Sequence, residues 1–173
     1  MQRRVPVDVL DHAHGPADAL ITLVENGNYE CSQRRRAAKT VRDLQVRFGG
    51  GIRLIYQHFP RVTMYSFSVG AAEVAEAASN QGKFWQMHEA LLAQRDTLSE
   101  GSLLACASGT GLDIPQFLYE LEADTHKERV KQDFQSGVGS GVAPTPTFFI
   151  NGKRHDDLAD QDLLHIAIQQ LSR

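Results

Sequence analysis

The sequence has very little cysteine, with only Cys31 and Cys106 among its 173 residues. Two thiols this far apart cannot form the disulfide framework that staples small secreted domains. A chain of this length buries about two-thirds of its unfolded surface, so its core needs no cross-links. Cysteine usage therefore gives no evidence for secretion.

Long apolar runs are also missing. A membrane-spanning helix needs about 20 apolar residues, and no stretch of the sequence approaches that length. The N-terminus carries Arg3 and Arg4 but lacks the apolar run that follows in a signal peptide. We therefore expect a protein without a membrane span, located in the cytoplasm.

Neither a strong charge nor a ligand-binding motif stands out. The net charge of −3 argues against general attraction to nucleic acid or to anionic lipid. The seven histidines include no pair at the helical spacing of a zinc site, and Gly49 to Gly51 follow a predicted helix, whereas phosphate-binding loops open one. We expect no metal ion and no resident cofactor.

The first third of the chain predicts a strand, a helix and a second strand. Residues 21–25 are β-branched and apolar, and residues 32–48 place apolar side chains on one helical face. Gly49 to Gly51 end that helix, and residues 52–59 read as the second strand. A β-α-β unit of this kind is expected to have parallel strands and a right-handed crossover.

The remainder predicts helices followed by a hairpin. Residues 69–134 show helical patterns separated by glycines and almost no strand signal. Asn151-Gly152 is a strong two-residue hairpin turn between strands at 147–150 and 153–155, and residues 160–171 predict a final helix. The fold class is therefore α/β, in the order β-α-β, helices, β-β-α.

This order is that of a thioredoxin-like fold with an inserted helical subdomain, and residue strings along the chain resemble the DsbA-like branch of that superfamily. We interpret residues 1–173 as one domain, with a core at 15–60 and 142–173 and a helical insertion at 66–141. The matching strings are Leu23-Val24-Glu25, Cys31-Ser32-Gln33-Arg34, His58-Phe59-Pro60, Gly82-Lys83-Phe84-Trp85-Gln86-Met87-His88, and Thr145-Pro146-Thr147-Phe148-Phe149-Ile150-Asn151-Gly152.

The resemblance makes Cys31 the nucleophile, at a helix N-terminus that favours thiolate over thiol. Arg34 stands where relatives have the second cysteine, which resolves the mixed disulfide within one molecule. Self-resolution at that position is therefore impossible, and Arg34 becomes an electrostatic neighbour of the thiol. Cys106 lies in an apolar helical context and is expected to be a core residue.

Further site residues follow from the same resemblance. Glu25 matches an acidic residue that assists proton transfer, although it reads equally well as a partly exposed strand-end residue. Pro146 is expected to follow a cis peptide bond, with the Thr145 backbone pairing with an extended substrate. Ser32 and Gln33 complete the expected substrate-binding surface.

Three functions agree with these residues. The first is a monothiol oxidoreductase that forms mixed disulfides with a protein or with glutathione, the candidate co-substrate. The second is a redox-inactive module that binds a peptide or partner beside Pro146, favoured if Tyr65 or Phe67 buries the sulfur. The third is a glutathione-dependent transferase or isomerase. DsbA-like domains also occur fused to other domains, so the chain also fits one domain of a larger membrane or multidomain protein.

Overall fold

The structure is a computed structural model that describes residues 6–64, 66–155, 165, 168, 169 and 171. Five strands, six α-helices and a short 3-10 helix at Gly49–Gly51 are assigned among residues 6–155. The strands are β1 (His12–His14), β2 (Ile21–Gly27), β3 (Ile52–His58), β4 (Thr147–Ile150) and β5 (Lys153–His155). The helices are α1 (Arg34–Phe48), α2 (Ser68–Asn80), α3 (Phe84–Ala93), α4 (Glu100–Gly109), α5 (Ile114–Glu122) and α6 (Lys127–Gly139).

The strands form one sheet in the order β1-β3-β2-β4-β5. Strand β1 pairs antiparallel with β3, β4 pairs antiparallel with β2, and β4 and β5 form an antiparallel hairpin. Phe148 and Phe149 are consecutive in β4 and both are fully buried, so both faces of the sheet are covered at this strand. The predicted α/β class is confirmed.

Most predicted elements agree with the structure, but the sequence did not predict β1, which His12–His14 form. A three-residue His-Ala-His strand carries no β-branched residue, and it is defined by its pairing with β3. The helix expected from Ser32 begins at Arg34. Most of the final helix predicted at 160–171 lies outside the described residues.

The chain divides into two compact units. The sheet unit comprises Met1–Gly27, Gln33–Gln57 and Gln135–Arg173, and the helical unit comprises Asn28–Ser32 and His58–Phe134. The segment that contains Cys31 therefore groups with the helical unit, while α1, which follows it, groups with the sheet. The core of the sheet unit includes the apolar face of α1, formed by Ala37, Ala38, Val41 and Leu44.

The turn after β1 depends on a glycine. Gly15 has a φ of +105°, a conformation that side-chain-bearing residues rarely adopt. A Cβ atom at this position would lie 2.3 Å from the carbonyl oxygen of Ile52. The backbone at Gly15 therefore lies too close to the backbone at Ile52 for a residue with a side chain to replace the glycine.

The helical unit is built on α2, whose buried alanines, including Ala71, Ala75 and Ala78, let neighbouring helices pack against it closely. Ser99 caps α4 in a reciprocal pair with Ser102. Asp113 caps α5, which has proline in its first turn.

Asp133 is expected to contribute strongly to the stability of the helical unit. It is buried, its Oδ2 accepts the His58 backbone N–H at 2.8 Å, and its Oδ1 pairs with Arg129 at 3.1 Å. Burial raises its pKa despite the neighbouring charges. Asp133→Ala removes the buried acceptor of the His58 N–H, so we expect a loss of about 2 kcal/mol in the free energy of unfolding.

Urea unfolding of the two variants Asp133→Ala and Asp133→Asn measures this effect. Asparagine keeps a carbonyl oxygen that accepts the same hydrogen bond, so this variant should lose clearly less stability than the alanine variant. Equal losses in the two variants would show that the His58 hydrogen bond is not the stabilising contact.

Candidate functional site

The segment Asn28–Ser32, here called the cysteine loop, is shaped by the side chain of Asn28. The Asn28 Oδ1 accepts the Glu30 N–H at 3.0 Å, and the Asn28 carbonyl oxygen accepts the Cys31 N–H, also at 3.0 Å. The Ser68 hydroxyl donates to the same Oδ1 at 3.1 Å. These bonds form an Asx turn that fixes the backbone leading to Cys31.

Glu30 connects the cysteine loop to α2. Its Oε2 accepts the Phe67 N–H at 2.8 Å and lies 3.4 Å from the Ser68 hydroxyl oxygen. The carboxylate thus sits at the N-terminus of α2, where negative charge is favourable, and it replaces a local cap that Phe67 cannot supply. Sequence reasoning missed this role, because the two partners are 37 residues apart.

Tyr29 anchors the cysteine loop in the interior of the helical unit. Its hydroxyl group lies 2.9 Å from the Nδ1 of His88, and its ring packs against those of His58 and His88. His58 in turn places its Nε2 2.8 Å from the Oε1 of buried Glu76. The loop is therefore fixed on a network of buried polar groups.

Cys31 is only 5% exposed, whereas Ser32 and Gln33 are exposed. Attack on a disulfide therefore requires the partner to approach closely, with Ser32 and Gln33 the nearest exposed residues along the chain. Burial of the sulfur under Tyr65 or Phe67 was the condition that would favour the redox-inactive module. Tyr65 lies outside the described residues, and Phe67 contacts the loop through its backbone.

The N-terminus of α1 is unusually cationic. Gln33 occupies the cap position without a side-chain hydrogen bond, and the first turn contains no acidic residue. Arg34, Arg35 and Arg36 fill that turn instead, and Arg34 is half-buried. Cations oppose the helix dipole at this end by about 0.3–1 kcal/mol each, so helix stability does not explain them. The arrangement creates a positive helix end immediately after the cysteine loop in the chain.

In the sheet unit, Glu25 and the proline loop lie on neighbouring strands. Glu25 in β2 pairs with Phe148 in β4, and Asn26 pairs with Thr147, the residue that follows Pro146. The Thr145–Pro146 peptide bond is cis, and the Thr147 hydroxyl donates to the Pro144 carbonyl oxygen at 2.9 Å. The register therefore brings these two predicted site elements together.

Glu25 is buried, which decides between the two interpretations left open by the sequence. Burial without a compensating charge raises its pKa to about 8. The side chain is therefore mostly protonated at neutral pH.

Asn26 was not predicted as a site residue. It is fully buried, and within the described part of the chain neither side-chain polar atom has a hydrogen-bond partner. A polar residue at the end of an apolar strand was the only signal that the sequence offered. Its carboxamide adds a second unusual buried group to the same end of β2.

Cys106 lies in α4 and is buried, as the sequence predicted. Its sulfur accepts a hydrogen bond from the Gln94 amide at 3.2 Å, and burial raises its pKa above that of an ordinary thiol. The Gln94 hydrogen bond acts in the opposite direction, but burial dominates and makes Cys106 a weak nucleophile.

Residues 8–170 of the sequence match the protein family described as Thioredoxin. The chain belongs to the thioredoxin family. Similar solved structures place this thioredoxin-family chain in the DsbA-like branch. A thioredoxin-like oxidoreductase from Silicibacter pomeroyi is 28% identical, with a TM-score of 0.83 over 94% of this chain and 92% of that one. BdbD from Bacillus subtilis is 26% identical, with a TM-score of 0.81 over 92% of this chain and 91% of BdbD.

The thioredoxin-family chain is also similar to one part of several longer proteins. It is 38% identical to the Na(+)/H(+) antiporter NhaA 3 of Salinispora tropica over 95% of this chain but only 25% of the antiporter. It is 41% identical to the antiporter NhaA of Nitrosospira multiformis over 86% of this chain and 24% of the antiporter. The chain thus spans about a quarter of these antiporters. Among the helices described here, none is long and apolar enough to cross a bilayer.

Proposed function

We propose that this chain exchanges disulfides by a monothiol mechanism through Cys31. The observation that carries the proposal is Cys31 itself, retained in a structured loop three residues before Arg34, the first residue of a cationic helix N-terminus. Positive charge at such a position stabilises a thiolate, the form of cysteine that attacks disulfides. The thiol-disulfide oxidoreductase fold agrees with this chemistry.

The cycle has two exchanges. The Cys31 thiolate attacks one sulfur of a protein or glutathione disulfide, a new Cys31–sulfur bond forms, and the other sulfur leaves as a thiolate that takes up a proton. A glutathione thiolate then attacks the substrate sulfur of the mixed disulfide and releases the Cys31 thiolate. One disulfide is consumed and one is formed, so glutathione supplies the reducing equivalents.

The other site residues have defined roles in this proposal. Arg34 takes the place of the resolving cysteine and supplies positive charge. Glu25 supplies the proton that the leaving thiolate takes up, because its pKa lies near neutral pH. Thr145, Pro146, Ser32 and Gln33 are the residues that bind the substrate in this proposal.

The experiment that tests the proposal is glutathionylation of the folded protein by oxidised glutathione, followed by intact mass and peptide mapping. We expect one adduct, on Cys31, in the wild type and in the matched control Cys106→Ser. Cys31→Ser should form no adduct and should reduce glutathionylated peptides only at the uncatalysed rate.

A second candidate is a redox-inactive binding domain that accompanies a membrane transporter. Two observations favour it. The chain is similar in sequence to about a quarter of the length of several Na(+)/H(+) antiporters, and Cys31 is almost fully buried. The same experiment separates the candidates. If Cys31 in the folded protein forms no adduct, or reacts no faster than Cys106, the monothiol mechanism is wrong and the binding domain is favoured.

A further inference from the structure

The helical unit contains an open groove between α2, α4 and α5 that plays no part in the proposed redox function. Its volume is about 610 Å³, which is within the range of ligand-binding pockets. Apolar side chains from α4 and α5, including Leu103, Phe117 and Leu121, form most of its wall.

Every charged residue among the described residues lining the groove is acidic. Glu73 comes from α2, Glu100 from α4 and Glu122 from α5, so each of the three helices contributes one carboxylate. An apolar surface with carboxylates on three helices complements a binding partner that carries both apolar groups and several positive charges.

Glu73 shows that one of these carboxylates faces a poorly solvated environment. Its Oε1 is shielded from solvent and has no hydrogen-bond partner among the residues that the structure describes. Burial raises its pKa, while Lys127 and His126 act in the opposite direction. Lys127 already pairs with Asp124 at 2.7 Å, so its ammonium group does not replace a partner for Glu73. A shielded, unpaired carboxylate oxygen is satisfied best by a donor from outside.

The apolar lining of the groove reaches the protein surface. Leu104 and Leu118, which also line it, are 41% and 44% exposed. Exposed leucines beside an apolar groove extend the contact surface for an elongated occupant. Amphipathic helices recognise such grooves by side chains at positions i, i+3, i+4 and i+7.

From these observations we infer that the groove binds an amphipathic cationic helix. Its apolar face packs against Leu103, Leu104 and Leu118, and its lysine or arginine side chains pair with Glu73, Glu100 and Glu122. This inference does not require Cys31 to be redox-active, and it stands or falls separately from the proposed function.

The test uses the full chain and a capped peptide of about 14 residues with leucine at helical i, i+3, i+4 and i+7 positions and lysine elsewhere. A matched peptide with glutamate in place of lysine is the charge control. Isothermal titration calorimetry should show micromolar binding of the lysine peptide and none of the glutamate peptide. Equal binding of both peptides, or of neither, would overturn the inference.

Variants of the protein locate the binding. The triple variant Glu73→Gln, Glu100→Gln, Glu122→Gln should bind the lysine peptide at least about tenfold more weakly, because the charge pairs are removed. The control Asp18→Asn, Glu89→Gln, Asp96→Asn has the same change in net charge at exposed positions outside the groove. Equal weakening in both triple variants would contradict the assignment, since it would indicate only nonspecific attraction.

A folding defect and self-association of the chain are each distinguished from peptide binding by one measurement. Glu100 and Glu122 are exposed, so the double variant Glu100→Gln, Glu122→Gln is expected to fold even if Glu73→Gln does not. Unchanged affinity in this folded variant counts against the inference.

Sedimentation velocity without peptide detects self-association. A dimer that the same double variant dissociates would assign the groove to a second copy of the chain and overturn the cationic-helix proposal.

Discussion

Glu25→Gln is expected to stabilise the protein by about 3 kcal/mol at pH 7. The pKa of Glu25 is about 8 in the folded protein, against an ordinary value of 4.5. Between these two pH values the unfolded chain carries an ionised Glu25 and the folded chain a neutral one. Unfolding then releases a proton, so the wild type loses roughly 1.4 kcal/mol of stability for each unit of rising pH.

Glutamine does not titrate, so the variant lacks this slope. The difference in free energy of unfolding between Glu25→Gln and the wild type should be small below pH 4.5, grow up to about pH 8, and then stay constant. Urea unfolding at several pH values measures it, and the exposed Glu100→Gln serves as the control. Parallel stability profiles for the wild type and Glu25→Gln would show that Glu25 ionises normally in the fold.

Arg34→Cys is expected to convert the proposed monothiol mechanism into a dithiol one. In the mixed disulfide, the introduced thiolate attacks the Cys31 sulfur, forms an internal disulfide and releases the reduced substrate. This release no longer waits for an external thiol, so we expect it to be at least about a hundredfold faster at millimolar glutathione. Two glutathione molecules then reduce the internal disulfide.

Quenched-flow alkylation and mass spectrometry follow the release step. Arg34→Ser is the matched control, because it removes the positive charge without adding a thiol. Release by Arg34→Cys should be independent of glutathione concentration, whereas the wild type and Arg34→Ser should remain dependent on it. A glutathione-dependent rate in Arg34→Cys would show that position 34 cannot reach the mixed disulfide.

The parts of the fold that could be predicted are those whose signal is local. Residues 21–25 and 52–58 are apolar and β-branched, and they pack in the core whatever lies elsewhere in the sequence. The Asn151-Gly152 turn likewise determined the hairpin, with Asn151 at positive φ. By contrast, β1 depends on pairing with β3, and no pattern within three residues reveals such a partner.

The candidate site shows the same division. Cys31, Arg34 and Pro146 were predicted as site residues because short motifs carry them. The placement of Glu30 at the start of α2 was not found, since helix caps are normally sought within a few residues of the helix. The acidic groove was missed for a similar reason, because its carboxylates lie on three helices that only the folded helical unit brings together.

The bond between Glu30 and Phe67 gives the cysteine loop a built-in spectroscopic reporter. The Phe67 amide proton is held by the carboxylate that immediately precedes Cys31 in the chain. Its exchange with solvent therefore requires the loop to detach from α2, so the protection of this one proton reports the opening equilibrium of the loop. A resonance from the backbone of an aromatic residue can thus follow opening of the cysteine loop without any label on the sulfur.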